Sequence, residues 1–133
     1  MTTTDDNRSK IRAAFEGLLS GNQKPLFDLV ADDVRWTVIG STPISGTFES
    51  KQTFLNEAVG KLTEKLAGPL VPRLIDVAAD GDKVFVQWEG SATSVSGRPY
   101  EQTYCWVLTL DGGVVREVVA YLDTELVSAV MAD

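Results

Sequence analysis

Residues 97–123 read "GRPYEQTYCWVLTLDGGVVREVVAYLD". Two strand-length runs, "YEQTYCWVLTL" (100–110) and "VVREVVAYLD" (114–123), flank "DGG" (111–113), a turn signal of the hairpin kind. Both runs are rich in the β-branched and aromatic side chains that suit a half-buried pleated surface. Toward the N-terminus the pattern repeats. "KVFVQWEGSATSV" (83–95) and "LVPRLIDVAA" (70–79) are two more such runs, set apart by "SGRP" (96–99) and "DGD" (80–82). The second half of the chain therefore reads as a four-stranded antiparallel meander.

Upstream of "GP" (68–69) the period changes from two to that of a helix. Ile11, Ala14, Phe15, Leu18 and Leu19 form one apolar stripe, with Asp5 and Asp6 at the positive N-terminal end and Gly21 at the stop. A short helix starting near Pro25 carries Leu26, Leu29 and Val30 inward. "VRWTV" (34–38) is a strand. Glu49 or Ser50 caps a longer helix to about Ala67, with Phe54, Ala58, Leu62 and Leu66 every fourth residue. "TELVSAVMAD" (124–133) is left open between a short helix and a tail. The order predicts one α+β domain over 1–133, a curved antiparallel sheet packed on about three helices.

Composition narrows the chemistry. The 133 residues carry 19 acids against 12 bases, a net charge of −7, which disfavours nucleic acid or an anionic membrane as partner. No run approaches the ~18 apolar residues that span a bilayer, and the first ten residues show no signal-peptide core, so a cytoplasmic location is the default expectation. The one cysteine, Cys105, sits in an apolar run as a small hydrophobe rather than a nucleophile. There is no histidine, so His triads, His metal ligands and the usual neutral-pH proton shuttle are excluded. Acid–base chemistry would fall to carboxylates, tyrosines or water, and no cofactor is expected.

Three stretches carry a family likeness: "VADDVRWTVIGSTPISGTFESKQTFL" (30–55), "GRPYEQTYCWVLTL" (97–110) and "DGGVVREVVAYLDTELV" (111–127). In order and spacing the chain resembles the superfamily of nuclear transport factor 2, ketosteroid isomerase and SnoaL-like polyketide cyclases. The resemblance implies a cystatin-like cone, a bent sheet wrapped round helices, open to an apolar cavity. It does not imply one chemistry. Ketosteroid isomerase uses an Asp base and an oxyanion hole of Tyr and protonated acid. The corresponding positions here hold Thr37 or Val38, Phe15, and Cys105 or Trp106, so all three roles are empty. With "AYLD" (120–123) aligned on the Tyr-x-Asp ending of the limonene epoxide hydrolase branch, the places of its acid and arginine fall near Ala120 and at Val119, both apolar. The single catalytic Asp of SnoaL-like cyclases leaves Asp123 as the best carboxylate here.

Strand parity leaves two faces for the last strand: Val115, Glu117, Val119, Tyr121 and Asp123, or Arg116, Val118, Ala120 and Leu122. A one-residue slip exchanges them, and the isomerase branch favours the second as cavity-facing. Glu89 is the second catalytic candidate, or else a solvent-side charge. Trp36 and Phe15 are expected against ligand or in the core, and Trp88 and Trp106 in either place or at a dimer interface. Gln102, Tyr104 and Tyr121 are expected to polarise a substrate, with cross-strand packing the alternative for Tyr104. "GSTPISGT" (40–47) reads as a loop at the cavity rim. The resemblance thus implies a homodimer with a small apolar organic ligand. It is either a cofactor-independent isomerase, cyclase or hydrolase using Asp123 or Glu89, or a non-catalytic binding module of the same fold.

Overall fold

A computed structural model describes residues 2–133. Helix α1 (Thr3–Leu19) begins at Thr2, whose side chain accepts from Asp5 N–H, and buries Ile11, Ala14 and Phe15. Helix α2 (Lys24–Asp28) starts with Pro25 in its first turn and buries Leu26. Strand β1 (Val30–Val38) follows at once and starts four residues earlier than composition suggests. Asp32, Asp33 and Arg35 are its exposed residues. Strand β2 (Gly46–Phe48) pairs antiparallel with β1, Trp36 opposite Phe48, so the Gly/Pro loop ends in a short edge strand.

Ser50 then caps a helix that runs as α3 (Lys51–Phe54), a π turn (Leu55–Val59) and α4 (Gly60–Glu64). The π turn inserts one residue into the helical repeat. The helix stops short of Ala67, and Leu66 instead bridges to Ser94. Strands β3 (Val71–Asp80), β4 (Lys83–Thr93), β5 (Pro99–Asp111) and β6 (Val114–Leu122) form the expected meander, and helix α5 (Thr124–Met131) ends the chain. Asp133 accepts from Arg98 Nε at 3.0 Å, which holds its carboxyl at about 2 and ties the chain end to the β4–β5 turn.

The sheet order is β2-β1-β6-β5-β4-β3. It is mixed rather than wholly antiparallel, because β1 runs parallel to β6. Local pattern marks a strand but not its direction, and this pairing joins segments far apart in sequence. Register shifts at Leu74/Asp76 in the edge strand β3 and at Thr109/Leu110 in the central strand β5 bend the sheet. The inner face is nearly all apolar: Val84, Val86 and Trp88 on β4, Tyr100, Tyr104, Trp106 and Leu108 on β5, Val115, Val118 and Ala120 on β6. Gln102 is the polar exception in that row.

Gly40, between β1 and the loop, has φ +94°, and a β-carbon there would lie 2.6 Å from Thr124 Cγ2. Backbone strain and the clash act together. Gly40→Ala is expected to destabilise the fold by about 2 kcal/mol in urea unfolding, whereas Gly68→Ala, with nothing near it, should cost little.

Candidate functional site

The inner face of the sheet does not close onto the helices. Between β1, β4, β5 and β6 on one side and α1, α2 and the α3–α4 helix on the other lies a cavity of about 760 Å³. Alternation dictates its wall, since every second residue of a strand must point the same way. Trp36 and Val38 come from β1, Trp88 from β4, Tyr104 and Trp106 from β5, and Ala120 and Leu122 from β6. Phe54, Ala58, Leu62 and Leu66 face them from the helix and its end. Asn22, Gln23, Lys24 and Thr63 add polar groups, and no Asp or Glu is among the lining residues.

Aromatic rings set the shape. Trp36 stacks on Phe54 with centroids 3.8 Å apart, and Trp88 stacks on Tyr104 at 4.1 Å. Trp106 stands edge-on between the two stacks, 5.0 Å from Trp36 and 5.1 Å from Trp88. The edge-to-face placement of Trp106 is one that the ring quadrupoles favour. At the far end Leu70 lies over Gly90, where a β-carbon would come within 2.9 Å of Leu70 Cδ1. Gly90 therefore gives Leu70 its place in the wall.

The polar groups behind this wall form one chain. Tyr104 and Tyr100 hydroxyls are 2.9 Å apart, and Gln102 Nε2 donates to Tyr100. Burial pushes the Tyr104 phenol well above its usual range, and it raises that of Tyr100 too. Both therefore remain neutral hydrogen-bonding groups at physiological pH. Among the described residues, the buried side-chain polar atoms without a partner are the indole nitrogens of Trp36, Trp88 and Trp106, all three from the cavity wall.

The candidates from the sequence fall into three groups. Trp36, Tyr104 and Trp106 line the cavity. Phe15 and Gln102 are buried just behind it, Phe15 edge-on to Trp106 at 5.7 Å, and Gln102 against the chain at Asp123. Asp123, Glu89 and Tyr121 lie outside. Asp123 is exposed and its carboxylate accepts from Leu126 N–H as the N-cap of α5. The expectation that it faces substrate gives way to a capping role, because β6 ends one residue before it. Glu89 accepts from Arg73 Nε at 2.8 Å on the opposite sheet face, so that carboxylate is a cross-strand ion-pair partner rather than an acid in the cavity. Tyr121 is 46% exposed and sits opposite Cys105 on the outer face. The last strand thus turns Val118, Ala120 and Leu122 inward. Cys105 itself is half-buried, and burial raises its thiol.

Asp123→Ala should cost about 1 kcal/mol through loss of the cap and leave ligand affinity within twofold. A large loss of affinity with an unchanged unfolding midpoint would instead give Asp123 a part in binding.

Tyr100, behind the wall, is a residue that reading the sequence missed. Its signal was parity: it shares the inward face of β5 with Gln102, Tyr104 and Trp106.

The family model described as SnoaL-like domain matches residues 11–118. Among solved structures, the chain is similar to an NTF2-like protein from Burkholderia thailandensis at 23% identity and TM-score 0.78, with 98% of each chain covered. It is similar to TerC co-crystallised with polyporic acid, at 18% identity and TM-score 0.77, covering 96% of this chain and 98% of that one. A candidate SnoaL-like polyketide cyclase from Jannaschia matches at 18% identity and TM-score 0.73, over 97% and 96% of the two chains. A search among curated proteins finds no match.

Proposed function

Because the chain belongs to the SnoaL-like domain family, we propose that it binds a flat, largely apolar ring compound in the cavity and acts as a ligand-binding module. The observation that carries this reading is the wall itself, with stacked aromatic and aliphatic side chains and no carboxylate among them. Burying a ring there removes apolar area from water on both sides, worth roughly 25 cal/mol per Å² before the costs of association. A proton-transfer enzyme of the isomerase kind needs a base in contact with its substrate. Asp123 and Glu89, the two carboxylates suited to that role by sequence, are occupied elsewhere. That TerC, similar in fold, was co-crystallised with polyporic acid is consistent with a small-molecule ligand for this chain.

The test uses the three tryptophans as reporters, since all of them line the cavity. Titration with 9-fluorenone should quench their fluorescence saturably at one ligand per chain. Val59→Phe, which adds a ring at the wall, should weaken that binding by at least tenfold with the fold intact. Quenching that never saturates, or that Val59→Phe leaves unchanged, would sink the proposal.

The outer sheet face carries exposed Val71, Ile75, Phe85 and Tyr121, and we assign it to pairing with a second copy of the chain. Light scattering at micromolar concentration should give twice the 14.4 kDa chain mass, and the single-chain mass would refute the pairing.

A further inference from the structure

The donor and acceptor inventory around Tyr104 fixes the direction of its hydrogen bond. Gln102 is the starting point, because both ends of its amide are held. Its Oε1 accepts two backbone N–H groups, from Asp123 at 2.8 Å and from Thr103 at 3.1 Å. An NH₂ group could accept neither, so the amide orientation is determined. Its Nε2 then donates to the Asp123 carbonyl at 3.0 Å and to the Tyr100 hydroxyl oxygen at 3.4 Å.

Tyr100 is fully buried, and the remaining partner of its hydroxyl among the described residues is Tyr104. If Tyr104 donated to Tyr100, the Tyr100 hydrogen would be stranded in the interior, a costly arrangement. The stable direction is Gln102 to Tyr100 to Tyr104. Tyr104 then spends a lone pair on Tyr100 and keeps its own hydrogen free. Of the three residues, Tyr104 alone lines the cavity.

We infer that Gln102 and Tyr100 are positioning residues that present Tyr104 to the ligand as a hydrogen-bond donor, so that the cavity selects a ring bearing a carbonyl oxygen over the same ring without one. This rests on the reading of the cavity as a ring-binding site. No carboxylate lines the cavity, so a ligand oxygen is the natural acceptor for the Tyr104 hydrogen. Burial also keeps the Tyr104 hydrogen in place, since it disfavours the phenolate.

The test is a matched pair of probes, 9-fluorenone and fluorene, which share a ring system and differ at the carbonyl. Affinities are measured by equilibrium dialysis for the wild-type chain, Tyr104→Phe and Tyr100→Phe, and the carbonyl stretch of bound 9-fluorenone is recorded by infrared difference spectroscopy. Tyr104→Phe should weaken 9-fluorenone by roughly 3- to 10-fold and leave fluorene within about twofold. The carbonyl band should lie lower on the wild-type protein than in an apolar solvent, and this downshift should vanish in Tyr104→Phe. Tyr100→Phe keeps the donor but removes the group that polarises and directs it, so the downshift should shrink without vanishing. A purely structural role for Tyr100 would leave the band where it is. If both probes bind the wild-type chain but Tyr104→Phe changes their affinities equally, or the band is unshifted, the donor assignment is overturned while the cavity reading stands. If neither probe binds the wild-type chain, both fall together.

Discussion

Trp36→Ala should lower the stability of the fold by about 3–5 kcal/mol, one of the two largest effects expected from a single change in this chain. Trp36 is 1% exposed and touches rings on three sides: Phe54 stacked at 3.8 Å, Phe27 at 6.1 Å and Trp106 edge-on at 5.0 Å. These contacts join β1 to α2, to the α3 helix and to the centre of β5. Removing the indole opens space next to a cavity that already exists, so collapse onto it is poor and the penalty lies toward the upper end. Trp36→Phe keeps a ring against Phe54 and should recover at least about 1 kcal/mol of the loss. Urea unfolding read by circular dichroism supplies the measurement, with the midpoint falling and the slope unchanged. A loss below about 1 kcal/mol would mean that the rings around Trp36 do not depend on it.

The second large effect is electrostatic. Ala120 is buried in the cavity wall, opposite Trp106 on β5 and Val38 on β1. Ala120→Asp puts a carboxyl among apolar neighbours, and desolvation raises its pKa above the unfolded value of about 3.9. The sign follows from that direction. Below about pH 4 the group is protonated in both states, and the variant suffers only from the added polar bulk. As pH rises, the unfolded chain ionises first, and stability relative to wild type falls until the folded pKa is passed. The additional loss between pH 4 and pH 7 should be on the order of 3 kcal/mol, at about 1.36 kcal/mol for each tenfold difference in proton affinity between the folded and unfolded chains. Ala120→Asn, with the same shape and no charge, should show no such slope. A pH-independent difference for Ala120→Asp would mean that the wall at this point is wet. The same variant should also weaken 9-fluorenone at pH 7 and recover affinity at pH 4.

These expectations show which parts of the molecule are written locally in the chain. The four strands after Pro69 are legible because their turns, "DGD", "SGRP" and "DGG", separate runs of matching length. The helical stripe of α1 is legible because its buried residues fall three and four apart. What is not local stays hidden. The parallel pairing of β1 with β6 depends on where two distant segments meet, and β1 looks the same whichever way its neighbour runs. The π turn at Leu55–Val59 leaves the apolar stripe largely intact and so gives no signal of its own.

The site divides along the same line. The tryptophans and Tyr104 could be chosen as wall residues by type and parity, because a large ring on the inner face of a curved sheet has few other places to go. Asp123 misled because chemistry suggested an acid where geometry needed a cap. It stands between the last strand and α5, and an Asp there accepts the free N–H of Leu126. Glu89 misled for a different reason. β4 alternates, and the parity that puts Val86 and Trp88 inside puts Glu89 outside against Arg73. Gln102 reads as a ligand contact by type, yet its amide is spent on Asp123, Thr103 and Tyr100. Its influence on the cavity passes through Tyr100 to Tyr104.

The most direct measurement is a crystal structure of the protein with 9-fluorenone bound. The ring should lie inside the cavity against the Trp36 or Trp88 face, with its carbonyl oxygen within hydrogen-bond distance of Tyr104. A ring bound on the outer face near Arg73 and Glu89, or beside Asp123 with the aromatic cavity empty, would contradict the account.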